Sequence, residues 1–451
     1  MTESTLQPLS NEQLSLLNEQ LSHGISDEAR EMLNTLPPED IAYLLESCPL
    51  KQRSLLWKLI DVDIEGDVLT ELDDEVRNFF LESMNSAELA KIISDQDSDD
   101  LADILQQLPD KIAQQVLTRM KIEDRKRVES VLSYPEDTAG GMMNTDTICV
   151  YQDISLALVL KYFKQGHKLS EPLDHIYVLD QENKLVGVLS FVQLLIRDTH
   201  CKVKDVMAQE YQSVHVEEKS TDVANLFERR NLVSAPVVDS TGHLLGRITI
   251  DDVVDVIRDE ADHSLMNLSG LGEHSDTFAG VLNTAKNRAL WLCINLIAAF
   301  ASAGVIGFYQ DTIAKVVALA VLMPVVSSMG GSAGSQAMIL VIRALSQGQL
   351  NQSNMRWLLL RELGVGLLNG ILWGTVVSLI AWLWFNNTVI TGVIALAVLI
   401  NLTSAVTLGA ILPGILRKMN IDPTLAGTVV LTTSTDIIGL CSFLGMAALF
   451  F

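Results

Sequence analysis

Four stretches in the second half of this chain are almost free of charge. Ala289–Gln310, Val316–Ile342 and Leu363–Leu416 contain no Asp, Glu, Lys or Arg, and Pro423–Phe451 contains only Asp436. A membrane span takes about 20 mostly apolar residues, and Leu363–Leu416 is long enough for two, parted at Asn386-Asn387-Thr388. The pattern therefore predicts five transmembrane helices. A soluble helical core rarely runs so far without charge.

The first half is the opposite. Residues 281–451 hold eight of the 32 Lys and Arg and four of the 56 Asp and Glu, which leaves 1–280 with a net charge of −28. A simple soluble enzyme is excluded. Nucleic acid is excluded as a partner because the basic footprint it needs is missing. No protein substrate is expected, whereas cations and membrane lipid are. The five cysteines (Cys48, Cys149, Cys201, Cys293, Cys441) form no CxxC, so neither a disulfide scaffold nor a thiolate metal site is expected. The first twenty residues lack a basic start and an apolar core, so no secretory leader is expected and the acidic half belongs in the cytoplasm. With that half inside, the inner flanks of the spans carry Lys286, Arg288, Arg343, Arg356, Arg361, Arg417 and Lys418, and the outer flanks only Lys315. This asymmetry predicts the N-terminus inside and the C-terminus outside.

The spans are more than anchors. SSMGGSAGS, GVGLLNGILWG and TLAGTVVLTTSTD are rich in small and hydroxyl residues, which permit close packing or line a wet path. Asp436 lies about mid-way along the last span, where an Asp costs about 2.5–3.5 kcal/mol. Two readings stand: an ion path, or a protonated Asp hydrogen-bonded to Ser or Thr neighbours such as Thr432 or Thr433. Oxygen-only surroundings suit a hard cation, Mg²⁺ or Ca²⁺. Asp422-Pro423 opens the same span and reads as a helix cap that also stands at the cytoplasmic mouth.

In the acidic half, Glu39-Asp40-Ile41-Ala42, Glu88-Leu89-Ala90 and Asp99-Asp100-Leu101-Ala102 begin short amphipathic helices, with Leu36-Pro37 and Leu108-Pro109 between them. A small all-α superhelical stack is expected. Further on, Val178-Leu179-Asp180 recurs as Val237-Val238-Asp239, Leu185-Val186-Gly187 as Leu244-Leu245-Gly246, and Leu189-Ser190 as Ile248-Thr249, always 59 residues on. This resembles a pair of CBS domains, α+β modules that often bind adenosine nucleotides. An Asp after a Ser or Thr can hold ribose in such modules. Thr249-x-x-Asp252 matches and makes ATP a candidate ligand; Ser190-x-x-Gln193 departs. Beyond Asp251, an apolar stripe (Val254, Ile257, Ala261, Leu265, Leu268) is expected beside a ridge of Asp251, Asp255, Asp259 and Asp262. Like charges at such spacing repel. The ridge, with the patch at Asp97, Asp99, Asp100 and Asp103, reads as a cation-dependent switch: bare surfaces separate and divalent ions draw them together.

The chain as a whole resembles the MgtE family of magnesium channels and transporters. The resemblance rests on the acidic helical module, the linker Tyr134-Pro135-Glu136-Asp137-Thr138-Ala139-Gly140-Gly141-Met142-Met143, the CBS pair ending in ITIDDVVDVI, and the five spans. The second span carries the Gly-rich signature Pro324, Gly330, Gly331, Ser332 and Gln336; the fifth carries Asp422-Pro423, Thr432-Thr433, Asp436 and Gly439.

The resemblance implies a homodimer in a bacterial inner membrane, conducting Mg²⁺ along its two-fold axis. It makes Asp436 the ion-binding group and places Asp422 at the mouth. The sensor acids become Asp99, Asp103, Asp252, Asp255, Asp259 and Glu260, which bind cytosolic Mg²⁺ and close the pore. It implies a helical domain over 1–132, CBS domains over 133–250, a connecting helix over 251–280 and a membrane domain over 281–451. Ser332 stands where the family has Asn, Gly427-Thr428-Val429 replaces a polar residue followed by Pro, and His263 replaces an acid. A carrier for Co²⁺ or Mn²⁺, and a membrane regulator that moves no ion, remain as alternatives. No enzymatic motif is present.

Overall fold

The computed structural model describes residues 27–93, 96–165, 174–271, 277–350, 352–419 and 421–451; the first twenty residues, read above as lacking a leader, lie outside them. The contacts divide the chain into two units. One comprises the acidic half up to Ala261, and the other begins at Asp262 and contains the apolar half.

The described residues of the acidic unit open with nine short helices: α1 (Asp27–Leu33), α2 (Pro38–Glu46), α3 (Leu50–Trp57), α4 (Glu65–Glu71), α5 (Asp74–Leu81), α6 (Ser86–Ile92), α7 (Ser98–Gln106), α8 (Asp110–Arg119) and α9 (Ile122–Val131). Pro37 and Pro109 stand at the N-caps of α2 and α8, where the chain must leave helical geometry. A device not foreseen from the sequence fixes the stacking. Helices this short leave many terminal carbonyls unpaired. Arg53, fully buried, donates from Nε to Leu45 O (2.8 Å) and from Nη2 to Glu46 O (3.1 Å), closing the end of α2. Arg77, 24 residues later, does the same for α4, reaching Leu69 O at 2.9 Å and Thr70 O at 3.0 Å.

Two three-stranded sheets follow. In the first, β1 (Cys149–Tyr151) runs parallel to β2 (His175–Leu179), which pairs antiparallel with β3 (Leu185–Ser190), with α10 (Leu156–Lys164) and α11 (Phe191–Ile196) alongside. The second repeats this with β4 (Val214–His215), α12 (Ser220–Arg230), β5 (Ser234–Val238) and β6 (Leu244–Thr249). The 59-residue offset holds down to the turns. Asp180 Oδ1 accepts from the amides of Glu182 and Lys184, and Asp239 Oδ1 from those of Thr241 and His243. Asn183 and Gly242 take the positive φ each turn requires.

α13 (Ile250–Leu268) leaves the second sheet. The helical part of 251–280 ends at Leu268, because Gly270 at φ 68° lets Leu271 N reach back to Met266 O. The expected apolar stripe is not its buried face: Val254, Ile257 and Leu265 are exposed, whereas Val253 is buried.

The apolar unit contains α14 (Val281–Phe308), a short α15 (Gln310–Lys315), α16 (Ala318–Ser346), α17 (Gln352–Phe385), α18 (Thr388–Lys418) and α19 (Pro423–Phe450). All but α15 are long and apolar enough to cross a membrane. The break between α17 and α18 falls at Asn386, in the left-handed region at φ 46°, and at Asn387, whose side chain caps α18. α18 is central and packs on α16, α17 and α19; α14 packs on α19. Small residues let the backbones approach: a Cβ at Gly409 would meet the Gly334 carbonyl, and one at Gly374 the Ala395 carbonyl at 2.9 Å.

Replacing Arg53 with Met should strand the Leu45 and Glu46 carbonyls and destabilise the acidic unit by about 2–4 kcal/mol. Thermal denaturation of the purified chain checks this. A melting temperature within a degree of wild type would remove the arginine from the account of the stacking.

Candidate metal centre and ion path

In the acidic unit, the start of α7 meets the start of α13. Asp97 accepts from Asn144 Nδ2 at 2.9 Å, and Ser98 Oγ accepts from Thr145 N and Oγ1 at 2.9 Å each. These polar ties hold α7 beside the CBS pair and bring Asp99 against Asp252. Asp99 is 8% exposed, and its Oδ1 has no hydrogen-bond partner. Burial, then the charge of Asp252, holds the Asp99 carboxyl well above the usual carboxylate range.

The neighbours share its difficulty. Burial pushes Asp100 up to about 7, with Asp97 and Asp252 adding to it. Burial lifts Asp103 to about 7 against the pull of Arg77, and Asp252 to about 6 against two hydrogen bonds from Thr249. Along α13, partial desolvation and then acidic neighbours raise Asp259, which faces Asp74. Asp255 is raised by desolvation despite Arg258, and Arg258 itself pairs with Asp73 at 2.9 Å. Glu260 is exposed. Among the described residues, no three acidic, His or Cys side chains converge closely enough to hold a bare ion. The donors are all oxygens, and Asp99 Oδ1 is an orphaned acceptor. Such a set suits a cation that keeps its water shell, as Mg²⁺ tends to.

Thr249 and Asp252 bond to each other, Asp252 accepting from Thr249 N at 3.0 Å and Oγ1 at 2.9 Å. This pair caps α13. An opening in the CBS pair lies elsewhere, a cavity of about 870 Å³ lined by His175, Tyr177, Tyr211, Ser234 and Pro236 among others.

In the apolar unit, Asp436 is half-buried and accepts a hydrogen bond from Ser327 of α16. The threonines offered above as examples bond to their own helix: Thr432 Oγ1 donates to Thr428 O (2.9 Å) and Thr433 Oγ1 to Val429 O (2.7 Å). A hydroxyl bonded back to its own helix shows its lone pairs outward, so this stretch of α19 offers acceptors. Of the second-span signature, Pro324, Ser332 and Gln336 lie with Ser328 on one exposed stripe of α16, four residues apart, whereas Gly330 is packed inward. At the other end of α19, Asp422 caps the helix through Thr424 N at 2.8 Å. Its Oδ2 also accepts from Asn267 Nδ2 of α13 at 3.0 Å, and His263 Nε2 stands 3.9 Å away. Asn267 is 2% exposed.

Family models match this chain in the same order: the MgtE intracellular N domain over residues 36–137, CBS domains over 139–197 and 203–259, and the MgtE divalent cation transporter domain over 323–446. The chain belongs to the MgtE family. It is 29% identical over 430 residues to the magnesium transporter MgtE of Bacillus subtilis, covering 95% of each chain. To that of Thermus thermophilus it is 28% identical over 440 residues, covering 96% of this chain and 97% of the other. The acidic half is similar to a crystal structure of the cytosolic domain of the Mg²⁺ channel MgtE in complex with ATP. That likeness has 29% identity and a TM-score of 0.50, and covers 54% of this chain and 99% of the other. This MgtE-family chain is thus a multi-pass membrane protein of a transporter family, not an enzyme.

Ser327, Asn267, Asn144 and Asn401 were not singled out from the sequence. Each is a small polar residue whose partner lies far off in the sequence, and no periodicity marks it.

The raised acids set a sign for pH. The docked arrangement binds more protons than a separated one wherever pH lies between the ordinary carboxylate range and about 7, so its stability falls as pH rises through that window. In chelator, hydrogen-exchange protection of α7, corrected for intrinsic rate, should fall between about pH 5 and about pH 8. Millimolar Mg²⁺ should restore it at the upper end. Protection that rises with pH in chelator would contradict the assignment.

Proposed function

We propose that this chain is a Mg²⁺-selective channel or passive transporter that takes up magnesium across the inner membrane. In this reading, cytosolic Mg²⁺ closes it by bridging the acids of the helical module and the start of α13. The observation that carries the reading is Asp436: a carboxylate in the middle of a span, bonded to a neutral hydroxyl, with no cationic partner among the described residues. Asp436 binds the passing ion and Asp422 gathers it at the cytoplasmic mouth. The membrane potential supplies about 2.3 kcal/mol per charge per 100 mV, doubled for a divalent ion.

The sensor is Asp99, Asp103, Asp252, Asp255, Asp259 and Glu260. Hydrated Mg²⁺ there takes the part that protons take in chelator: it neutralises the facing carboxylates and lets α7 and α13 stay together. α13 then carries the state of the sensor to Asp422 through Asn267.

The working unit is a homodimer with its pore on the two-fold axis. One feature favours a second copy: the exposed stripe of α16 carries Ser328, Ser332 and Gln336, poor groups to offer lipid. The amino-terminal domains lie in the cytoplasm and the C-terminus outside. An adenine nucleotide such as ATP binds the CBS pair, and the cavity beside His175 and Tyr177 has the volume for it.

Mg²⁺ flux into proteoliposomes tests the reading. Wild type should conduct with chelator on the cytoplasmic face and fall silent with millimolar Mg²⁺ there, and Asp436→Asn should lose flux by at least about tenfold while keeping Mg²⁺-dependent protection of α7. Flux indifferent to Asp436 would sink the pore assignment, and a protein that binds Mg²⁺ but passes no ion would be a sensor. Asn267→Ala should leave residual flux under high cytoplasmic Mg²⁺, because the mouth loses its tie to α13. A variant that closes as fully as wild type would show the tie to be idle.

A further inference from the structure

Asn401 lies on α18, has been given no role so far, and is 1% exposed in an otherwise apolar packing layer. Its Nδ2 donates to the Val326 carbonyl of α16 at 2.7 Å. That bond fixes the orientation of the amide, and its Oδ1 is then buried with no partner. An apolar side chain of similar size would fill the space without stranding an oxygen. The amide is present at a cost, which calls for a reason beyond filling volume.

Its surroundings supply one. A Cβ on Gly330 of α16 would collide with the Asn401 amide, and a Cβ on Gly439 of α19 would lie 2.7 Å from Nδ2 and 3.1 Å from Oδ1. Asn401 thus sits where three helices meet, and both neighbours are glycine because nothing larger fits. Gly330 follows Ser327 by three residues, and Gly439 follows Asp436 by three. Residues three apart share a helix face, a little under one turn or about 4.5 Å along the axis. The amide therefore lies one turn from the Ser327–Asp436 hydrogen bond, between the same two helices that carry it.

We propose that Asn401 is a positioning residue for the ion path. By clamping α16 at Val326 and seating Gly330 and Gly439, it sets the spacing and register of α16 against α19. This aims the Asp436 carboxylate. Asn401 touches no ion. The inference rests on the reading of Asp436 as the ion-binding group.

The test uses full-length protein in proteoliposomes and reads both maximal Mg²⁺ flux and the half-saturating Mg²⁺ concentration, for wild type, Asn401→Leu, Gly439→Ala, the double Asn401→Ala/Gly439→Ala, and Asp436→Asn. Asn401→Leu keeps the volume and removes the clamp; it should raise the half-saturating concentration by at least about fivefold at a near-native melting temperature. Gly439→Ala should do likewise, since its methyl displaces the amide. The double should regain the wild-type melting temperature, because the shorter side chain on α18 makes room for the methyl, but not the wild-type half-saturating concentration, because it lacks the amide that holds Val326. If Asn401→Leu changes only the maximal flux or nothing, Asn401 merely packs and the inference falls. If Asn401→Leu does not fold, the double decides, and a folded double with a wild-type half-saturating concentration overturns the proposal. If Asp436→Asn alters neither quantity, the pore reading fails first. If Asp436→Asn loses flux while Asn401→Leu keeps its half-saturation, only the positioning role is refuted.

Discussion

A carboxylate taken out of water must be neutralised, and the described residues supply nothing to neutralise Asp99. Arg77 lies nearer Asp103, Arg258 is committed to Asp73, and the residue that faces Asp99 is another acid, Asp252. The polar ties at Asp97, Ser98, Asn144 and Thr145 nevertheless hold the two acids together. The docked arrangement is therefore conditional on something external, a proton or a cation. In the proposed function that condition is what would give the acidic unit two states instead of one. The helical stack, the repeated sheets and the start of α13 serve to bring facing acids to a fixed place.

The membrane half meets the same problem differently. Asp436 has a neutral partner, Ser327, and the hydroxyls around it are turned back onto their own helix. None of the described residues there supplies a full positive charge. A hydrated divalent ion can meet such a group through its water shell at low dehydration cost, and can also leave. A buried Lys or Arg would have made a stable salt bridge and an idle pore. In the proposed reading the stretch is polar enough to hold an ion and too sparsely charged to trap one.

Most of the architecture was legible because it is periodic. The spans stand out by length and lack of charge, their middle break by Asn386-Asn387, and the sheet pair by a repeat that extends to Asp180 and Asp239. The acid cluster could be seen as two patches from the spacing of the Asp residues. What escaped was pairing across elements. Arg53 reads as a surface arginine until the unpaired end of α2 is known to lie against it. The apolar stripe of α13 was read from its period, yet Val253 is the residue that is buried, because the neighbouring module and not the helix chooses the packed face. Thr432 and Thr433 were nearer in sequence to Asp436 than Ser327 is, and sequence distance says little about which hydroxyl points inward.

The proposed gate also has to satisfy an energetic demand. Moving a two-state equilibrium from mostly open to mostly closed, 1:99 to 99:1, takes about 5.5 kcal/mol of differential binding, a factor of about 10⁴. One loosely held hydrated ion does not supply that. Two ions, each held about a hundredfold more tightly in the docked state, would. The acids fall into places that can share this load: Asp99 with Asp252 at the root of α13, Asp103 beside Arg77 and Asp74, and Asp255 with Asp259 further along the helix. Where α13 faces the helical module, at Asp99 with Asp252 and at Asp259 with Asp74, a cation is gained only while the two are together, so in the proposed gate the ions act in concert and closing is steeper in Mg²⁺ than binding at either place. A sensor spread over several weak places, none of which holds a bare ion, is what a response confined to millimolar changes in an abundant cation requires.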